Sequence, residues 1–158
     1  MLHKERDRVK RVLEIGKSLP LDDAEKIGHW GRYACITSTG YIEVALRLVI
    51  QLHVQSKATA EIAAYVVKDM EGVQNPKAEK IVKVLRCFSD TWANAMDSYF
   101  TTNPEVKEAI DSLMANRHLI AHGRPCSISL GRVGMYFEKA DEAIQFIDDM
   151  LNPLQKAA

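Results

Sequence analysis

The sequence has little of several things, and each shortage excludes a class of protein. Only three cysteines occur in 158 residues, at Cys35, Cys87 and Cys126, odd in number and widely spaced. They make no CxxC pair and no zinc-ligand spacing, so neither a disulfide scaffold nor a cysteine zinc site is expected, and free thiols in a reducing compartment are. Glycine and proline together number 13 and sit mostly where helices should begin or end, which excludes a loop-built or fibrous chain. Charge of one sign is also missing. Lys plus Arg and Asp plus Glu are 21 each, so no global positive field exists to hold a nucleic acid. Long apolar runs are absent too: the most apolar stretch, 41–52, is interrupted by Glu43, Arg47 and Gln51 and is far shorter than a membrane span. The opening Met1-Leu-His-Lys-Glu-Arg-Asp-Arg lacks the apolar core of a signal peptide, and a cytoplasmic protein with no membrane association is expected.

What is present is ordinary for one folded domain spanning 1–158: 47% hydrophobic and 27% charged residues, with no repeat, linker or low-complexity tract. Helical spacing dominates. A first helix places Val9, Val12 and Leu13 together and is expected to end at Gly16. Leu19-Pro-Leu-Asp-Asp predicts a turn, with Asp22 or Asp23 capping a long helix that carries Trp30 and Tyr33, bends at Gly40 and reaches about residue 55. Its polar positions Glu43, Arg47 and Gln51 recur every four residues and form a narrow stripe on an otherwise apolar, central helix. Further helices are predicted over 60–70, 78–88 and 91–99. Asn103-Pro104-Glu105 supplies an Asn cap, a first-position proline and a first-turn acid for a helix running toward Gly123. A last helix spans 130–151, entered through Ser127 or Ser129. Residues 126–130 alternate like a strand but have no partner strand. The expected fold is all-α: a single-domain bundle of about five to seven helices.

The segment Asp111-Ser-Leu-Met-Ala-Asn-Arg-His-Leu-Ile-Ala-His122-Gly123-Arg124 carries the chemistry. On a regular helix Val106, Ile110, Leu113, Ile120 and Ala121 share one stripe, with Arg117 in its middle. A guanidinium keeps its proton when buried, so at such a place it needs partners or an interface. Asp111, His118 and His122 fall on the other side. Arg117 and His122 are then roughly 140° apart, too far for one straight helix to aim both at one phosphate. Either the helix loosens before Gly123, or a second copy brings its own motif alongside. Arg117, Arg124 and Arg132 also lie within sixteen residues that hold no carboxylate, a local source of positive potential for RNA. Histidines at i and i+4 suit half a zinc site, which Asp111 would extend, yet no fourth ligand is visible. Glu43 either pairs with Arg47 on its own helix or orients Arg117 or a histidine from a facing one. Trp30, Tyr33, Phe88 and Trp92 read as core residues rather than base-stacking platforms.

Arg117-His118-Leu-Ile-Ala-His122 resembles the motif of the HEPN superfamily: Arg, a polar residue, three more residues, then His. Ala115-Asn-Arg-His-Leu-Ile-Ala-His-Gly is similar to the form seen in the RiboL-PSP-type HEPN group. Upstream, Trp30, Tyr33 and Thr37-Ser-Thr-Gly-Tyr-Ile-Glu43 resemble that group's second helix, and the likeness includes 77–92. The resemblance implies a helical bundle forming a two-fold homodimer that cleaves RNA without metal or other cofactor, often in a toxin or phage-defence setting with an antitoxin or regulatory partner. It implies that His122 moves the proton of the ribose 2′-hydroxyl or of the leaving 5′-oxygen, that Arg117 stabilises the phosphoryl oxygens, and that His118, at the motif's variable polar position, is a catalytic residue beside them. Asn116, Glu43 and Asp111 take supporting places, and Arg124 and Arg132 RNA-binding ones. It also admits a second function: a non-catalytic module that dimerises or binds a nucleotide or partner.

Overall fold

The computed structural model describes residues 2–20 and 22–153, so the expected turn at 19–23 is visible only on either side of Leu21. Among the described residues there are seven helices and no strand: α1 (Leu2–Lys17), α2 (Ala24–Lys57), α3 (Ala60–Met70), α4 (Ala78–Arg86), α5 (Asp90–Thr102), α6 (Pro104–Ala121) and α7 (Leu130–Leu151). The all-α bundle expected from the periodicity is therefore observed, with residues 126–129 irregular rather than strand.

The helix starts are chemically marked. Asp23 Oδ1 accepts the Lys26 N–H at 2.9 Å, and Ser129 Oγ accepts that of Arg132 at 3.2 Å. Asn103 stands at the cap position of α6, as its Asn-Pro-Glu signal predicts. Its amide turns back, however, donating to Tyr99 O at 2.9 Å and closing the preceding helix instead.

Two glycines lie within helices. α2 continues through Gly40 as one helix of 34 residues. Gly16, expected as the end of α1, is its second-last residue and is buried: a Cβ there would sit 2.3 Å from Trp30 Cδ1 and 2.6 Å from Leu130 Cδ2. The missing side chain lets Trp30 lie across α1, where its Nε1 donates to Val12 O at 2.8 Å.

α2 is the axis of the molecule and packs against α1, α3, α6 and α7. By length and composition it is also apolar enough to cross a membrane, more so than its interrupted apolar stretch implied, but 56% of its most apolar window is buried against these neighbours. Ile42, Leu46 and Ile50 of α2, Ile110 and Leu113 of α6, and Phe137, Ile144 and Ile147 of α7 are fully buried in one continuous core that draws on all seven helices. Of the four expected core aromatics, Trp30, Phe88 and Trp92 pack against it, whereas Tyr33 is 48% exposed.

α6 changes character along its length. Val106, Ala109, Ile110, Leu113 and Met114 are buried, but from Ala115 to Ala121 no residue is. The Arg117–His122 motif thus occupies the end of a helix that is anchored by its first half and uncovered in its second.

Candidate functional site

The uncovered end of α6 closes directly after its motif. Ala121 is the last helical residue and His122 the cap, at φ −97° and ψ 13°. Gly123 follows in the left-handed region at φ 61°, where a side chain is disfavoured. Its N–H donates to Ile120 O at 3.1 Å and the Arg124 N–H to Leu119 O at 2.9 Å, the paired reverse bonds of a Schellman ending. The helix thus ends at His122, whose own N–H still donates to His118 O at 3.2 Å, so Arg117 and His122 stand on its last turns and the chain reverses only at Gly123.

They do share a groove. A depression of about 560 Å³ is lined on the α6 side by Arg117, His118 and His122 with Met114 and Leu119 between them, and on the far side by Asn75 and Lys77 of the α3–α4 loop. Arg117 is half-buried, and among the described residues it makes no hydrogen bond or ion pair. It thus sits in the middle of an apolar stripe without the partner such a position calls for. Its charge is felt nearby: burial pushes the Cys35 thiol up to about 12, Cys126 adds to that, and Arg117 works against it. The His118 and His122 rings are exposed and in contact, centroids 4.4 Å apart and tilted by 58°.

The groove's electrostatics differ from those of its neighbours. It is lined by a guanidinium, an ammonium and two imidazoles, and by no carboxylate. Four other concavities of the surface include Glu71, Glu79 with Asp97, Glu14 with Glu138, and Glu5. In a chain of zero net charge, a local cationic depression arises by keeping acids out of it.

The acids predicted to support the site do so indirectly. Glu43 neither ion-pairs with Arg47 nor reaches Arg117. Arg47 Nε bonds the Glu43 backbone carbonyl, and Glu43 Oε1 accepts the N–H of Asn75. Asn75 is held there at φ 47°. Asp111 Oδ1 accepts the N–H of Ala78 at 2.9 Å, where α4 begins, and so turns away from the histidines with which a helical projection groups it. Both carboxylates pin the loop that forms the far bank. Asn116 faces away as well, donating to Ser112 O at 2.8 Å and accepting from Cys126 Sγ at 3.2 Å, which ties the segment after the motif to α6.

Arg124 is exposed and Arg132 lies at the start of α7 against Tyr136, its guanidinium 5.8 Å from the ring. Neither lines the groove. Lys77 and Asn75, which do, escaped the sequence reading: Gln74-Asn-Pro-Lys77 reads only as a break between helices, and its approach to α6 depends on contacts spanning more than thirty residues. For metal chemistry His118 and His122 supply two donors. No group of three or more His, Cys, Asp or Glu side chains is assembled among the described residues, and Asp111 is already engaged.

No curated protein and no solved structure matches the chain. The family model of the RiboL-PSP-HEPN domain does, over residues 4–153, a span that takes in all but the first two residues of α1 and the whole of α2 to α7. With its seven-helix bundle and its Arg117–His122 motif on the open end of α6, this chain belongs to the RiboL-PSP-type HEPN family.

Proposed function

We propose that this HEPN module is a metal-independent endoribonuclease acting as a two-fold homodimer, in a toxin or phage-defence role. The observation that supports it most is that Arg117 and His122 line one groove free of carboxylates. RNA brings its own nucleophile. The 2′-hydroxyl gives its proton to an imidazole and attacks the adjacent phosphorus, the P–O5′ bond breaks, and the leaving oxygen takes up a proton. The product ends are a 2′,3′-cyclic phosphate and a 5′-hydroxyl. His122 is the proton carrier, since imidazole exchanges protons near neutral pH. Arg117 forks onto the non-bridging oxygens as charge builds on them, and no internal carboxylate competes for it.

Attack and departure take place on opposite sides of phosphorus, so two proton carriers must flank it. His118 and His122 are in contact with each other and leave no room for a phosphoryl group between their rings. The second carrier comes from the other copy of the motif, brought alongside by a two-fold axis next to the uncovered end of α6. His118 serves as a neighbour that shapes the groove.

The test is incubation of purified protein with a mixed RNA pool in excess EDTA. Cleavage to cyclic phosphate ends is expected, with a matched strand carrying 2′-deoxyribose left intact. A folded protein that binds RNA and leaves it whole would favour the non-catalytic binding module, which the zero net charge of the chain also suits.

A further inference from the structure

The far bank of the groove is built with more care than a connecting loop requires. The N–H of Asn75 is taken by Glu43 of α2, the N–H of Ala78 by Asp111 of α6, and Pro76 between them is buried. Two helices, α2 and α6, thus fix the backbone on both sides of residues 75–77. The two side chains that this backbone presents to the groove are the ones left unengaged. Asn75 and Lys77 are exposed, and neither side chain makes a hydrogen bond or ion pair among the described residues. The carboxylates of Glu43 and Asp111 bond backbone N–H groups and form no ion pair with Lys77. Two local features have nothing further to offer a ligand: the first N–H of α4 is occupied by Asp111, and Lys77 at the cap position makes no side-chain capping bond.

We infer that residues 75–77 form a substrate-anchoring subsite for single-stranded RNA. In it Lys77 holds a backbone phosphate flanking the scissile one, and the Asn75 amide reads the base edge of that nucleotide. The inference rests on the ribonuclease reading and deepens it. A groove of about 560 Å³ has the volume of a site for a drug-sized ligand, on the order of one unstacked nucleotide with its phosphates, and the pairing edge of a base is free to be read only in an unpaired strand. An ammonium recognises phosphate as a point charge without base preference, whereas a primary amide offers a donor and an acceptor side by side, the pattern that pairs with base edges. Lys77 therefore acts on affinity and Asn75 on sequence preference. Both are positioning residues, and the bond-making chemistry stays with α6.

Lys77→Ala removes no cap, and Asn75→Gly keeps both the N–H that Glu43 holds and a residue at ease with positive φ, so both variants retain the loop. Cleavage kinetics are measured on a mixed-sequence single-stranded RNA. Equilibrium binding is measured in the His122→Ala background over a salt series. For Lys77→Ala the expected result is a five- to tenfold rise in KM and Kd with kcat changed less than twofold. The slope of log K against log salt should become shallower by about 0.7, one phosphate contact on a single strand. For Asn75→Gly, sequencing of the cut ends should show base preference flattened at one position beside the cleavage site, with Kd for the mixed pool within about threefold. Unchanged Kd and salt slope in Lys77→Ala, or a loss confined to kcat, in a protein that otherwise binds and cleaves RNA, overturns this inference alone. Failure of the unsubstituted protein to bind or cleave RNA overturns the ribonuclease reading and this inference with it.

Discussion

Two clusters of polar side chains in this molecule are made of similar groups and used in opposite ways. In the first, Arg6 of α1 donates its Nε to Asp141 of α7 at 2.9 Å, and Tyr41 of α2 donates its hydroxyl to the same carboxylate oxygen. Arg6 and Asp141 are 16% and 19% exposed, and Tyr41 also stacks edge-on against Phe137. Charge meets counter-charge, and three helices are clipped together. In the second, Arg117 and His122 stand at the open end of α6 with no acid beside them. A polar cluster that stabilises a fold has its partners within the fold; one that acts on a ligand leaves a partner to be supplied. The contrast separates Arg6 from Arg117 more clearly than burial does, since both are only partly covered.

The comparison is broken most severely by removing the open cluster. Arg117→Ala or His122→Ala should lower the cleavage rate by about 10²–10⁴-fold, the usual worth of a proton carrier or oxyanion partner, with the urea midpoint unchanged. Disturbing the closed cluster should do the reverse. Asp141→Ala leaves the Arg6 guanidinium, whose Nη2 already has no partner among the described residues, without its counter-charge in a partly buried place. A loss of about 2–3 kcal/mol in urea denaturation is expected, with cleavage by the folded fraction intact. Gly16→Ala should cost about 1–3 kcal/mol by forcing a methyl against Trp30, read in the same denaturation series and as a shift in Trp fluorescence.

A further effect is confined to alkaline pH. Burial raises the Cys35 thiol from its ordinary 9.0 to about 12 and also raises the Tyr41 hydroxyl, which bonds to Asp141. Above about pH 9 the unfolded chain gives up protons that the folded one retains, so stability should fall as pH rises from 9 toward 12. Cys35→Ala should flatten that decline without altering stability's pH dependence below 8, as a series of urea midpoints would show.

Much of the fold is legible locally. The helices at Ala60–Met70 and Leu130–Leu151 begin and end where the caps and apolar spacing place them, because both signals act within a few residues. Gly123 likewise announces the turn at the end of α6 from sequence alone. What escapes is whatever depends on distant packing. Gly16 stands one residue from the end of α1, as its spacing suggests, but its contact with Trp30, fourteen residues on, is not readable there. Glu43 looks like the partner of Arg47 or Arg117, yet bonds a loop backbone 32 residues away. For the same reason half of the candidate site, Arg117 with His118 and His122, stands in the motif, while the other half, Asn75 and Lys77, is visible only when α4 is placed beside α6.

Whether the open end of α6 cleaves RNA is decided by setting His122→Ala beside the unsubstituted protein. Both are incubated with a mixed RNA pool in excess EDTA, with urea denaturation run on the same samples. Cleavage to cyclic phosphate ends by the unsubstituted protein, reduced at least a hundredfold in the variant at equal stability, is the predicted result. Equal cleavage by both proteins would contradict it.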